Sequence, residues 1–200
     1  MSNKNCKYLV IDTETTGLHT AKNGLIQVAA LALDSKLAII DQYTIDINPP
    51  AGYEISPESL KITGFTLERI AAGVSYAEFC NSFIEFVRKN FSEVPICIGQ
   101  FFPFDFAFLD YVFTTVGLDA ILNKEVMTNQ FIDTKSLVLS LNLKAELKGD
   151  KIPFPITSLS KPGGLKDKFG IWGEDFTAHD ALGDVMATRA VLIKLMDYLS

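Results

Sequence analysis

The run Lys7-Tyr8-Leu9-Val10-Ile11 constrains this chain more than any other feature. It is almost wholly apolar and β-prone, so a strand there has to be covered on both faces. A sheet with packing elements on either side meets that demand. The run stops at Asp12-Thr13-Glu14-Thr15-Thr16-Gly17. The two-residue period of a strand places Asp12 and Glu14 on one face. They fall at its C-terminal end, where open α/β sheets bind ligands.

The remaining chain supplies the other layers. Residues 25–34 and 37–47 read as two further strands, joined at Ser35-Lys36 as a hairpin without the usual Asn-Gly turn. Pro49-Pro50-Ala51-Gly52 is a break, and Ser56-Pro57 opens a helix with proline at its first position. Phe79, Phe83, Phe86 and Val87 have helical spacing, as do Phe104, Phe108, Leu109, Val112, Phe113 and Val116. Residues 94–98 read as a short buried strand between these two helices. Ile132 marks a short last strand, followed by a helix over 134–141, and a final helix spans about 180–199. Residues 142–164 hold Gly149, Pro153, Pro155, Pro162, Gly163 and Gly164 and read as a long loop or lid. Three strands followed by strands alternating with helices predict an α/β fold with a mixed sheet. No shift in composition divides the chain, so one domain over 1–200 is expected.

Composition narrows the class. Of 200 residues, 48% are hydrophobic and 21% charged, which excludes a disordered chain. No run approaches the ~18–20 apolar residues of a membrane span. The polar start, Met1 to Asn5, is unlike a signal peptide, and a cytoplasmic protein with no membrane partner is expected. Three cysteines without metal-type spacing argue against a disulfide framework or a zinc site. A net charge of −6 argues against a broad basic surface for nucleic acid. It leaves room for a nuclease that grips a few nucleotides in a metal-centred cleft.

Two carboxylates on one face repel, and hard oxygen ligands suit Mg²⁺ or Mn²⁺. Taken alone, Asp12 and Glu14 read first as acidic residues that end a strand and start a turn. Asp105 follows Pro103 near a helix start, where the helix dipole favours an acid without any catalytic role. Asp180 and Asp184 stand four apart, on one helix face, where like charges are mildly unfavourable unless a cation lies nearby. His179 precedes them, and an imidazole titrates where a general base must. His19, in a polar turn, reads as a surface residue.

The ordered set is more specific than its parts. Asp12-Thr13-Glu14-Thr15-Thr16-Gly17, then Phe104-Asp105 with Phe108-Leu109, then His179, Ala181 and Asp184 resemble the three motifs of the DEDD superfamily of 3′–5′ exonucleases, histidine subtype. The resemblance runs from Tyr8 to about Leu195. It includes Leu25-Ile26-Gln27-Val28-Ala29, Ile62-Thr63-Gly64 and Ile132-Asp133-Thr134. The tyrosine subtype is set aside, because the position it needs is Asp180. Within the superfamily the chain looks most like the proofreading branch.

The resemblance implies a ribonuclease H-like fold: a five-stranded mixed sheet, its first three strands an antiparallel meander, with helices on both faces. It implies that Asp12, Glu14, Asp105 and Asp184 hold two Mg²⁺ or Mn²⁺ ions and that His179 takes a proton from water. Thr13, Thr15, Gly17 and Leu18 would lie against the terminal nucleotide, with Leu18 as a wedge. The implied partner is the 3′ end of single-stranded DNA or RNA, with a polymerase subunit as a further partner. DNA is the leading substrate. RNA trimming, or a nucleic-acid-binding module with weakened chemistry, stays as the alternative. The chain departs from the family in one place. Gln100 and Phe101 stand where His-Asn usually precedes the Phe-Asp, so Phe101 or Phe102 either stacks on a base or packs in the protein.

Overall fold

The computed structural model describes residues 5–173 and 180–199. Five strands form one sheet: β1 (Tyr8–Thr15), β2 (Leu25–Leu33), β3 (Ile39–Asp46), β4 (Ile96–Gly99) and β5 (Phe131–Asp133), in spatial order β3-β2-β1-β4-β5. β1 pairs antiparallel with β2, and β2 with β3, while β4 and β5 continue the sheet in parallel. This is the mixed sheet with an antiparallel meander that the sequence implied. β1 extends beyond the expected apolar run, so Asp12 and Glu14 are residues of the strand itself. Its pairing with β2 shifts register between Glu14 and Thr15, an irregularity beside the carboxylates.

The helices in chain order are α1 (Pro57–Thr63), α2 (Leu67–Ala71), α3 (Tyr76–Asn90), α4 (Phe102–Val116) and α5 (Asp119–Ile121), which runs into a π-helical turn over Leu122–Val126. α6 (Thr134–Lys148), α7 (Leu165–Phe169) and α8 (Ala181–Leu199) follow. Ser56 caps α1 with Pro57 behind it, and Ser75 and Glu78 close a capping box on α3. Leu9 and Ile11 face a core built with Phe79, Phe83, Phe108 and Leu109 of α3 and α4. Val10, on the other face, packs with Ala181, Val185 and Leu192 of α8. Helices therefore cover both faces, and β1 is buried between them.

The expected loop over 142–164 is corrected at its start. α6 does not stop at 141 but continues to Lys148, where Gly149 ends it with a left-handed φ of 74°. Leu143-Lys144-Ala145-Glu146-Leu147-Lys148 is a run of good helix formers with a glycine stop. The irregular part that follows is tethered. Asn142 exchanges two hydrogen bonds with the backbone of Phe154, at 2.7 and 3.0 Å, and Phe154 is buried. No described helix is long and apolar enough to cross a membrane.

Candidate active site

Three carboxylates from two elements, β1 and α8, converge at the C-terminal end of β1. The strand presents Asp12 and Glu14 from its α8 face. α8 presents Asp184 one turn into the helix. Among the described residues, one carboxylate oxygen from each of these three lies within 4.8 Å of the others. Glu14 and Asp184 are buried and Asp12 is half-buried.

Asp105 stands apart from that triad of oxygens. It lies in the first turn of α4, buried, and accepts a 2.6 Å hydrogen bond from Thr13 Oγ1. Thr13 points to the opposite face of β1 from Asp12, so it ties α4 to the strand that carries the triad. Its hydroxyl serves Asp105 rather than the open cleft. Asp105 still contributes to the field at Asp12. Burial raises the Asp12 pKa well above the carboxylate range, and the charges of Asp105, Asp184, Glu14 and Asp180 push it further. Burial and the charges of Asp184, Asp105 and Asp180 raise Glu14 to about 8, against a small opposing effect of Arg69. Burial lifts Asp105 to about 7, although the hydrogen bonds from Thr13 pull the other way. Such a set of crowded, buried carboxylates with few cations nearby is suited to a hard divalent ion, which would offset the repulsion.

Several positioning residues were not singled out from the sequence. Gln27 is a buried polar side chain in the otherwise apolar β2. Its Oε1 accepts the backbone N–H of Ala181 at 3.1 Å, and its Nε2 donates to Asp46 Oδ1 at 2.9 Å. Arg69 holds Asp46 in turn through Nε and a second guanidinium nitrogen, at 2.6 and 2.9 Å. This chain anchors the N-terminus of α8, and with it Asp184. The signal was the single polar residue in Leu25-Ile26-Gln27-Val28. Ser160 Oγ approaches Asp184 Oδ1 at 3.4 Å from the irregular segment before α7.

The Thr15–Leu18 turn is built to a fixed shape. Thr15 Oγ1 donates to the Gly17 carbonyl at 2.6 Å. A Cβ at Gly17 would stand 2.5 Å from Asn23 Cγ, so glycine is required there for packing against a buried side chain. Leu18 is 77% exposed beyond the turn. His179 lies outside the described residues.

The cavity over the triad has a volume of about 400 Å³ and is lined by Asp12, Asp184, Phe101, Lys135, Ser160 and Lys161, among others. The two substituted positions of the second motif both shape it. Gln100 receives a hydrogen bond from Thr134 Oγ1 and donates to the Thr157 carbonyl at 2.9 Å, joining β4 to the 157–161 wall. Phe102 is buried in the core, whereas its neighbour Phe101 is half-exposed at the cavity rim. Of the candidate phosphate contacts Lys161, Lys166 and Lys168, Lys161 lines the cavity and Lys166 is buried.

Comparison with known proteins places the chain in a family. The exonuclease family model RNase_T matches residues 9–192. The PolC-type DNA polymerase III of Lactococcus lactis is 31% identical over 192 residues, which are 96% of this chain and 10% of that protein. The DNA polymerase III epsilon subunit of Pasteurella multocida is 27% identical over 187 residues, covering 91% of this chain and 65% of the subunit. The chain thus spans about a tenth of the PolC-type relatives. Escherichia coli exonuclease I, solved with a dT13 oligonucleotide, superposes with a TM-score of 0.71 at 24% identity, over 96% of this chain and 43% of that one. Exonuclease I of Methylocaldum szegediense superposes with a TM-score of 0.73 at 24% identity, over 97% and 42%. At these identities the structures establish a shared fold.

Proposed function

The chain belongs to the RNase_T exonuclease family of 3′–5′ exonucleases, and from that membership we propose that it releases nucleoside 5′-monophosphates from the 3′ end of single-stranded DNA with the aid of two divalent cations. The observation that carries the reading is the meeting of Asp12, Glu14 and Asp184 within 4.8 Å at the end of the central strand. Oxygen donors alone form this set, which suits Mg²⁺ or Mn²⁺ rather than a thiolate- or imidazole-seeking metal. Asp12, Glu14 and Asp184 would hold the ions, with Asp105 completing the set from α4. When bound, such ions lower the pKa of a water and stabilise charge on the leaving 3′-oxygen.

The protein's own groups supply the remainder. His179 accepts the proton of the attacking water as its oxygen bonds to phosphorus and the P–O3′ bond breaks. Thr13 aims Asp105 and opposes the rise in its pKa that burial causes. Gln27 and Asp46 fix the start of α8, so that Asp184 arrives in register with β1. The Thr15–Leu18 turn presents its apolar tip to the terminal nucleotide. The cations bring the positive charge that a chain of net charge −6 lacks for a polyanion. DNA is favoured over RNA because the PolC-type and epsilon relatives are named as DNA polymerase III. The same relatives make a polymerase the favoured protein partner and the cytoplasm the favoured compartment.

The test is a time course on 5′-labelled single-stranded DNA and RNA of one sequence, with Mg²⁺, Mn²⁺ or EDTA, and with Asp184→Asn as control. Metal-dependent shortening from the 3′ end, absent in the control and faster on DNA, is expected. Faster shortening of RNA would replace the substrate, and no shortening of either would overturn the reading.

A further inference from the structure

We infer that Phe101 is a base-stacking platform beside the reacting phosphate, held in place by a strained backbone and specific to this chain's altered second motif. The inference rests on the proposed function and adds a specificity-determining residue to that same site. Phe101 has φ 65° and ψ 44°, the left-handed region that a bulky side chain rarely adopts. The usual Asn of the motif tolerates that conformation at little cost; a phenylalanine does not. The strain is held by a clamp. The Phe101 N–H donates to Asp133 Oδ1 at 2.7 Å, and Asp133 is fixed by Ser136 Oγ and the Lys135 N–H at the start of α6.

The strain places an aromatic ring where packing would not. Phe102, one residue on, is 1% exposed, whereas Phe101 is 49% exposed and lines the same cavity as Asp12 and Asp184. Lys135 Nζ stands 4.2 Å from the ring centroid, over one face. The half of the side chain that stays exposed offers surface to a flat π-system, and the ammonium supplies positive charge beside it for a phosphate. A backbone strain kept at a cavity rim, together with an exposed ring and an adjacent cation, is the equipment of a single-strand stacking site. Such stacking accepts any base, because every base has a π-face.

Four proteins test this: the natural chain, Phe101→Ala, Phe101→Trp and Phe101→Asn. Each is assayed on oligonucleotides with one abasic residue at each of the last four 3′ positions, and on the intact strand. Binding is read separately, by anisotropy of a labelled strand in Ca²⁺. We expect Phe101→Ala to raise KM and the dissociation constant about tenfold with kcat within about threefold, from the usual strength of base stacking. Phe101→Trp should restore binding. In the natural chain one abasic position should weaken binding to the same extent, and that position should become silent in Phe101→Ala. Phe101→Asn should bind as weakly as Phe101→Ala while its Tm rises by about 2–4 °C through relief of strain. Natural chain that degrades DNA, with abasic effects unchanged by Phe101→Ala, overturns the stacking role and leaves the exonuclease reading intact. Natural chain that degrades neither DNA nor RNA overturns the functional reading and this inference with it.

Discussion

The Thr13 hydroxyl donates to Asp105 Oδ1 at 2.6 Å, linking two residues 92 positions apart in the chain. Both groups are buried, and the bond lowers a carboxylate pKa that burial nonetheless lifts, leaving it at about 7. A hydrogen bond to a charged group is worth about 1.5–3 kcal/mol, or roughly one to two pKa units. Thr13→Val keeps the volume and removes the donor. The acidic limb of its pH–rate profile should therefore move up by about one unit, and Thr13→Ser should restore it. A profile unchanged in Thr13→Val would remove Asp105 ionisation from the reaction.

The metal-free protein should lose stability as pH rises. Glu14, raised to about 8, and Asp105, raised to about 7, bind their protons more tightly in the fold than in the unfolded chain. Their contribution is full below the unfolded carboxylate range of about 4. It falls as pH climbs and is gone above about 8, where both are charged and crowded. Thermal melts in EDTA should show Tm falling between pH 5.5 and 9. Mn²⁺ or Mg²⁺, which compete with protons for these oxygens, should raise Tm more at pH 9 than at pH 5.5. A Tm rise in Mn²⁺ that is equal at the two pH values would place the ion elsewhere.

Neutralising a member of the triad separates chemistry from folding. Asp184→Asn and Asp12→Asn should each cut hydrolysis about a thousandfold or more, the scale of several kcal/mol of lost charge stabilisation. In EDTA the same variants should melt no lower than the natural chain, because a repelling charge has gone from a buried cluster. Circular dichroism melts beside the gel assay decide this. Hydrolysis retained within tenfold in either variant would remove that residue from the ligand set.

The fold was legible because it rests on local rules. An apolar run ending in Asp-x-Glu fixes both strand burial and the face its acids share, and the i, i+4 rule puts Asp180 and Asp184 on one helix face, but only the ordered set of motifs tied Asp12, Glu14 and Asp184 to one site. Asp105 was legible only as a member of a set. Nothing in Phe104-Asp105 indicates that its carboxylate lies outside the triad of oxygens and on Thr13, since that depends on how α4 crosses the sheet. Gln27 carried a signal that went unread, a polar residue in a strand buried along its length. The end of α6 was misjudged because its last turns bury little. Leu143 and Leu147 are 55% and 80% exposed, so helix propensity and Gly149, rather than an apolar stripe, extend it. Phe101 could not be separated from Phe102 by composition, because the difference is one backbone φ. His179 lies outside the described residues, and its role rests on the motif.

Gln27→Leu tests whether α8 is positioned from β2. The variant leaves the Ala181 N–H without its acceptor and Asp46 without one donor. An unsatisfied buried group costs about 1–3 kcal/mol, which urea melts will register. A merely structural role ends there. A positioning role also weakens Mn²⁺ binding measured by calorimetry, because Asp184 is three residues along the same helix. Gln27→Glu should restore the contact to Ala181 but add charge beside Asp46, so stability should recover only in part. Unchanged Mn²⁺ affinity in Gln27→Leu would confine the residue to folding.

Gln100→Ala tests the wall opposite the triad. Gln100 is the bridge between Thr134, at the start of α6, and the Thr157 carbonyl, and it stands where the family pattern has His. Removing its amide leaves the 157–161 wall tied through the backbone bonds of Ser158 and Leu159 to α7, and through Ser160 to Asp184. The loss should be local. Global stability should fall by only about 1 kcal/mol, the usual net value of a hydrogen bond. Amide exchange should quicken over 155–161 and stay unchanged in β1 and β4. KM should rise with kcat nearly constant, because the wall bounds the cavity while the carboxylates keep their places. Gln100→His offers the stricter comparison, since an imidazole has one donor and one acceptor to divide between Thr157 and Thr134. If it matches the natural chain in both exchange and KM, the wall is held by the bridge and not by the amide as such. If exchange over 155–161 is unaltered in Gln100→Ala, the wall stands on its own backbone and the bridge is incidental.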